Sequence, residues 1–206
     1  MTRSRWIAAL AVGALALAVG AAAGQLLLSP SLTSAPGRPP AAGPAPAKPG
    51  PSPPPPGFVE FRDELFSIAY PTSWQRRRTE DPEVQILADQ GDAAAASFLV
   101  RVAVLESPVG PQNLDAAKKL TDKVVKSGRK VKLLAPAQRS DLGGLPGWFY
   151  LYTFEDGRGR KGTHSQYFLF RGDTMYTMVF QALPADGVST YAPVFDRIAS
   201  TFRPSS

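Results

Sequence analysis

The sequence predicts an α+β domain, an antiparallel β-sheet of about six to seven strands flanked by helices. Three observations predict it. Residues 147–182 hold three consecutive strand-like runs, GWFYLYTFE, THSQYFLFR and TMYTMVFQA, joined by short loops rich in Gly and charge. Two other stretches repeat apolar residues at helical spacing rather than in alternation. Most remaining connections are short turns, which join antiparallel strands but not parallel ones.

Residues 1–57 cannot build a core, and they divide into three parts. Residues 1–5 carry Arg3 and Arg5 and are expected to stay in the cytoplasm. Residues 6–28 are 23 positions without a charge, about 34 Å of helix at the usual rise, enough to cross a hydrocarbon core. The two arginines orient such a span with the remainder outside. A cleaved signal peptide competes with an uncleaved anchor, because Ala21-Ala22-Ala23 before Gly24 offers a small-residue site. Leu26, Leu27 and Leu28 extend the apolar run past that site and favour the anchor. Either outcome places the domain outside the cytoplasm, tethered to the cell membrane in one case and secreted in the other. Residues 29–57 hold 12 of the 21 prolines, and this composition predicts a disordered, semi-rigid stalk that leans to polyproline II.

Residues 58–206 form the extracytoplasmic domain, large enough to bury a core without staples. In FSIAYP, Phe66, Ile68 and Tyr70 share one face of a strand that Pro71 ends. The following turn delivers Trp74 to the sheet edge. Residues 84–87 are a short strand and 89–92 a turn. The run SFLVRVAVL at 97–105 is nearly continuous in apolar residues, as expected of a strand covered on both faces. Leu114, Ala117, Thr121, Val124 and Val125 then fall on one helical face, with Asn113 as N-cap and Gly128 as stop. The lysines opposite, Lys118, Lys119, Lys123 and Lys126, read as a solvated face rather than a membrane surface, because the apolar stripe is narrow and has one large residue at its start.

A strand over 130–138 follows, and the Gly-rich turn at 143–147 enters the three aromatic strands. Trp148, Tyr150, Tyr152 and Phe154 alternate with Phe149, Leu151 and Thr153. Both faces are apolar, so layers are expected on both sides. Gly172-Asp173 fits a two-residue hairpin turn. Val188, Tyr191, Phe195, Ile198 and Phe202 mark a closing amphipathic helix, and Pro193 sets its start near Ser189 or Thr190 if proline is to lie in the first turn.

The opening F-S-I-x-Y-P-x-x-W at 66–74, the long strand, the single mid-domain helix, the entry G-L-P-G-W at 144–148 and the closing I-x-x-x-F-R at 198–203 together resemble the PsbP-like α/β/α sandwich family. That family includes the extrinsic PsbP subunit of photosystem II, a Ran-binding nuclear-import factor and many exported bacterial proteins of unknown function. The resemblance implies an accessory or binding module without a shared catalytic site. It carries over no functional residue.

Composition narrows the chemistry. There is no Cys, which removes disulfides, thiolate metal sites, thiol nucleophiles and a lipidated cysteine. The net charge of +6 is mostly terminal: residues 58–206 carry 19 Lys and Arg against 17 Asp and Glu, so the high pI is no argument for nucleic acid. His164 is the only histidine, so no multi-histidine metal site exists, and neither G-x-S-x-G nor a phosphate-cradling glycine loop occurs. The carboxylates Glu80, Asp81, Glu83, Asp89, Asp92, Glu155 and Asp156 lie in expected loops without the spacing of a calcium loop. Arg171-Gly172-Asp173 spells an adhesion tripeptide, and a tight turn already explains each of its residues. No catalytic, metal or cofactor residue is expected.

The functional expectation is a membrane-tethered, non-enzymatic module of the bacterial cell envelope that binds a protein partner. The alternative is a carrier or sensor of a small apolar ligand, and an enzyme with a noncanonical site is a remote third. Arg76, Arg77, Arg78, Arg158, Arg160 and Lys161 are the expected partner-contact residues, being the exposed basic groups of two loops.

Overall fold

The computed structural model describes residues 53–91 and 95–205. The expected cytoplasmic tail, membrane anchor and nearly all of the stalk lie outside these residues. Among the described residues no helix is long and apolar enough to cross a membrane.

A seven-stranded antiparallel sheet organises the domain. Its order is β3 (Gln75–Arg76), β4 (Val84–Asp89), β5 (Ala96–Val109), β9 (Lys161–Ala182), β8 (Leu145–Glu155) and β6 (Lys132–Leu133), with β7 (Gln138–Leu142) also on β8. The 22 residues of β9 fold back on themselves at Gly172. His164 Nε2 lies 3.0 Å from the Gln181 side chain, 17 residues on, whereas a straight strand would separate them by roughly 56 Å at its usual rise. The first arm of β9 pairs with β8 and the second with β5. Gly172 supplies the positive φ of 60° at the first turn position, the place that a two-residue II′ hairpin requires. Gly147 meets a different need: an added Cβ would stand 2.1 Å from the Phe168 carbonyl oxygen, so only glycine lets β8 and β9 approach there.

Helix α1 (Leu114–Lys126) covers one face of the sheet over β8 and the first arm of β9. Leu114, Ala117 and Val125 pack on Trp148, Tyr150, Tyr152, Phe168 and Phe170. The other face is covered by α2 (Val188–Ser200) and by a small second sheet of order β1 (Phe58–Arg62), β2 (Phe66–Pro71), β10 (Arg203–Pro204). There Phe66, Ile68, Trp74, Phe195, Ile198 and Phe202 close on Phe98, Val100, Met178 and Phe180. The last strand thus returns to pair with β2, the strand that follows β1.

Several expectations need correction. Trp74 adjoins the edge strand β3, but its ring lies buried between Phe98 and Phe195 and not on the edge itself. The strand expected over 97–105 is covered on both sides only in part. It extends to Val109, outruns β4, and leaves Val104 80% exposed. No strand spans 130–138, because Lys130 turns the chain with φ 49° and only Lys132–Leu133 and then Gln138–Leu142 pair with β8. Asn113 is the N-cap residue of α1 as expected, but its side-chain Oδ1 accepts from the Gly110 amide and not from the helix. Helix α2 starts at Val188 and carries Pro193 in its interior. The proline is exposed, and the Ser189 carbonyl that loses its partner belongs to an exposed residue, so water satisfies it.

The two covering layers are offset. Layers were expected over both sides of β8, yet Phe149, Leu151 and Thr153 stay half-buried and neither core cluster includes them.

Candidate functional site

Three features of the domain hold the side chains able to act on another molecule. The first is a buried polar chain under α1. On β8 and β9, Tyr152 faces His164 across the register, and Gln166 and Gln181 flank the ring. The Tyr152 hydroxyl donates to Gln166 Oε1 at 2.5 Å, and His164 Nδ1 lies 3.0 Å from the Tyr152 oxygen. Gln181 Oε1 stands 3.0 Å from Nε2 and accepts the ring N–H there, which leaves Nδ1 without a proton beside the Tyr152 hydroxyl. Phe154 lies against the ring with centroids 4.0 Å apart. Burial pushes the imidazole down to about 4, so it is neutral at pH 7. Burial also raises Tyr152. Tyr152, His164, Gln166 and Gln181 thus hold one another inside the domain.

Beside it, Tyr150 donates to Asp122 Oδ1 at 2.7 Å and meets Thr121 Oγ1 at 2.7 Å, tying α1 to the sheet. Desolvation pulls the Asp122 carboxyl up, but hydrogen bonds from Lys118 and Tyr150 outweigh it and leave the group below its ordinary value. The Trp148 indole N–H donates to the Leu114 carbonyl at 2.9 Å.

The second feature is a basic end of the molecule. The Glu155 amide donates to the Arg129 carbonyl at 3.0 Å, and its carboxylate meets Lys130 at 2.8 Å and Arg129 at 3.5 Å. These bonds draw the chain after α1 against the loop between β8 and β9. Arg158, Arg160 and Lys161 therefore stand beside Arg129 and Lys130, near the C-terminal end of α1 with Lys123 and Lys126. Arg160 pairs with Asp156 at 2.7 Å. The other sequence-predicted group lies elsewhere. Arg76 is on the edge strand β3 with its guanidinium 4.6 Å from the Phe61 ring centre, Arg77 grips Asp89, and Arg78 is exposed. Five strand spacings separate β3 from β8, about 24 Å. The two predicted groups are not one site. Sequence reasoning read the lysines of α1 as a solvated face and did not count them as a site, although residues 118–132 hold seven Lys and Arg against the single acid Asp122.

The third feature is the open face of β8. Phe149 and Tyr167 pack with ring centroids 4.7 Å apart and planes tilted by 45°, Leu151 lies in the next row, and Leu134, whose amide donates to the Leu151 carbonyl at 2.9 Å, is 49% exposed. Helix α2 reaches Tyr167 and stops short of these residues.

No family model matches the chain, and no curated protein matches it. Solved structures do. The solution structure of cyanobacterial PsbP (CyanoP) from Synechocystis sp. PCC 6803 superposes with a TM-score of 0.54 at 17% identity, over 72% of this chain and 92% of that one. The fold is PsbP-like. A Bacteroides thetaiotaomicron VPI-5482 protein superposes at 0.50 with 16% identity over 68% of this chain, which spans only 45% of that protein's length. The resemblance stated from residues 66–74, 144–148 and 198–203 thus holds for the fold. In this PsbP-like domain those stretches build β2 and Trp74, the entry to β8, and the end of α2 with β10.

Proposed function

We propose that the chain is a membrane-tethered, extracytoplasmic, non-enzymatic binding module of the bacterial cell envelope, and that it binds a protein partner through the open face of β8. The observation that carries this reading is the strip of half-buried Phe149 and Leu151 with exposed Leu134, whose amide bonds to the Leu151 carbonyl: apolar and outside both cores. A contiguous apolar strip at the surface is the kind of feature that protein partners cover. The tether rests on residues 6–28 and 29–57 as read from sequence. The non-enzymatic reading is supported by the burial of His164, the single histidine of the sequence, between Tyr152 and Gln181. The alternative of an apolar ligand carrier draws no support from the aromatic rows. Tyr150, Phe168 and Phe170 are each at most 1% exposed and pack on one another and on α1.

A photoreactive residue at Leu134 in intact cells tests the reading, with the same residue at Val59, 40% exposed on the small sheet, as control. One discrete cross-linked species is expected from Leu134 and none from Val59. Equal yields from both positions, or none from either, would remove the proposal.

A further inference from the structure

The near-neutral domain is polarised. Residues 118–132 carry seven cations and one anion, so the other residues of 58–206 carry 12 cations against 16 anions. The excess is on one end. Lys119, Lys123 and Lys126 follow at i, i+4 and i+7 along the outer side of α1, all exposed, and none of them makes an ion pair among the described residues. With Ser127 and Asp122 they line an open depression of about 520 Å³. Arg129, Lys130, Arg158, Arg160 and Lys161 extend the positive region past the end of the helix. Leu133, 40% exposed, pairs with Tyr152 and so lies on the sheet face that α1 covers.

Lysines at a helix C-terminus have an ordinary explanation, since they offset the helix dipole. Two such residues in the last turn suffice for that, and this surface holds far more. We infer that the basic end docks on an anionic bilayer surface, with the lysines meeting headgroup phosphates and Leu133 entering the interfacial zone. Charge complementarity argues for lipid: protein interfaces are depleted in lysine, whereas flexible lysines on a broad surface match a diffuse anionic sheet. The inference rests on the tethered reading, under which a stalk of 29 residues, up to roughly 90 Å long, keeps the domain within reach of the membrane. Docking would set the domain's orientation and leave the open face of β8 available to a partner.

The test uses the full chain in lipid nanodiscs. Because the chain has no cysteine, a Ser127→Cys substitution places a single fluorophore in the depression, and nitroxide-headgroup lipids quench it on approach. Discs of phosphatidylcholine are compared with discs containing phosphatidylglycerol, at about 0.05 M and about 0.5 M salt. Strong quenching is expected only with phosphatidylglycerol at low salt. Neutralising Lys119, Lys123 and Lys126 to Gln should weaken it at least about tenfold. The same three-charge change at Arg76, Arg77 and Arg78 should leave it unaltered. Equal quenching in both lipids, or an equal response to the two triple variants, would overturn the inference. So would quenching at the neutral-lipid level in every disc together with loss of an in-cell protein cross-link in the lysine variant, which would assign the lysines to an acidic protein. Retention on the discs at high salt reads the anchor separately. If the anchor fails, low-salt association with phosphatidylglycerol discs and its loss in the lysine variant still decide the docking.

Discussion

The two sides of β8 differ in what covers them. Trp148, Tyr150 and Tyr152 lie under α1 at 6%, 1% and 6% exposure, while Phe149, Leu151 and Thr153 on the other side remain half-open. Both sides are rich in large side chains, so hydrophobicity alone does not decide which becomes core. The difference is the reach of the covering elements. Four residues separate the bulged end of β5 from helix α1, which lies over β8, whereas α2 and the small sheet are held over β4, β5 and β9 by Phe98, Phe180 and Phe202. An apolar face without its own layer is a candidate interaction site.

The largest effect that sharpens the comparison is on the closed side. Phe168→Ala, at a residue 0% exposed, is expected to cost about 3–5 kcal/mol in chemical denaturation, against about 1 kcal/mol for Phe149→Ala. Similar losses for the two would break the distinction.

Next comes pH. The His164 imidazole sits below its unfolded value, at about 4 against 6.5. Between those limits the unfolded chain binds more protons, so stability falls as pH drops through the window from 6.5 to 4 and is unaffected by this group above it. The loss is roughly 3 kcal/mol when complete. Stability curves across the window should show it in the native chain and lack that component in His164→Gln. A His164→Gln variant with the same pH slope would show that another group is responsible.

Smaller is the effect of Leu151→Ser on the open side. Denaturation should shift by no more than about 1 kcal/mol, while the cross-link from Leu134 in cells should disappear. A retained cross-link would move the contact elsewhere.

Much of the fold was readable because its signals are local. Alternation in 147–182 announced the aromatic strands, Gly172 the hairpin, and Val188, Tyr191, Phe195 and Ile198 the stripe of α2. What escaped depends on residues distant in sequence. Nothing near Trp74 says that it inserts between Phe98 and Phe195, and nothing near Lys130 forbids a longer strand until its φ is known. The candidate surfaces fared likewise. Arg158, Arg160 and Lys161 were visible as a loop, but their union with Arg129 and Lys130 is made by Glu155 after the chain has folded. The open face of β8 was hidden because its alternation matches that of a fully covered strand.

The most direct measurement is a hydroxyl-radical footprint that compares Phe149 with Tyr150 in the purified full chain and in intact cells. The account predicts that Phe149 is oxidised readily in the purified chain and protected in cells, while Tyr150 resists oxidation in both. Equal oxidation of Phe149 in the two settings would contradict it.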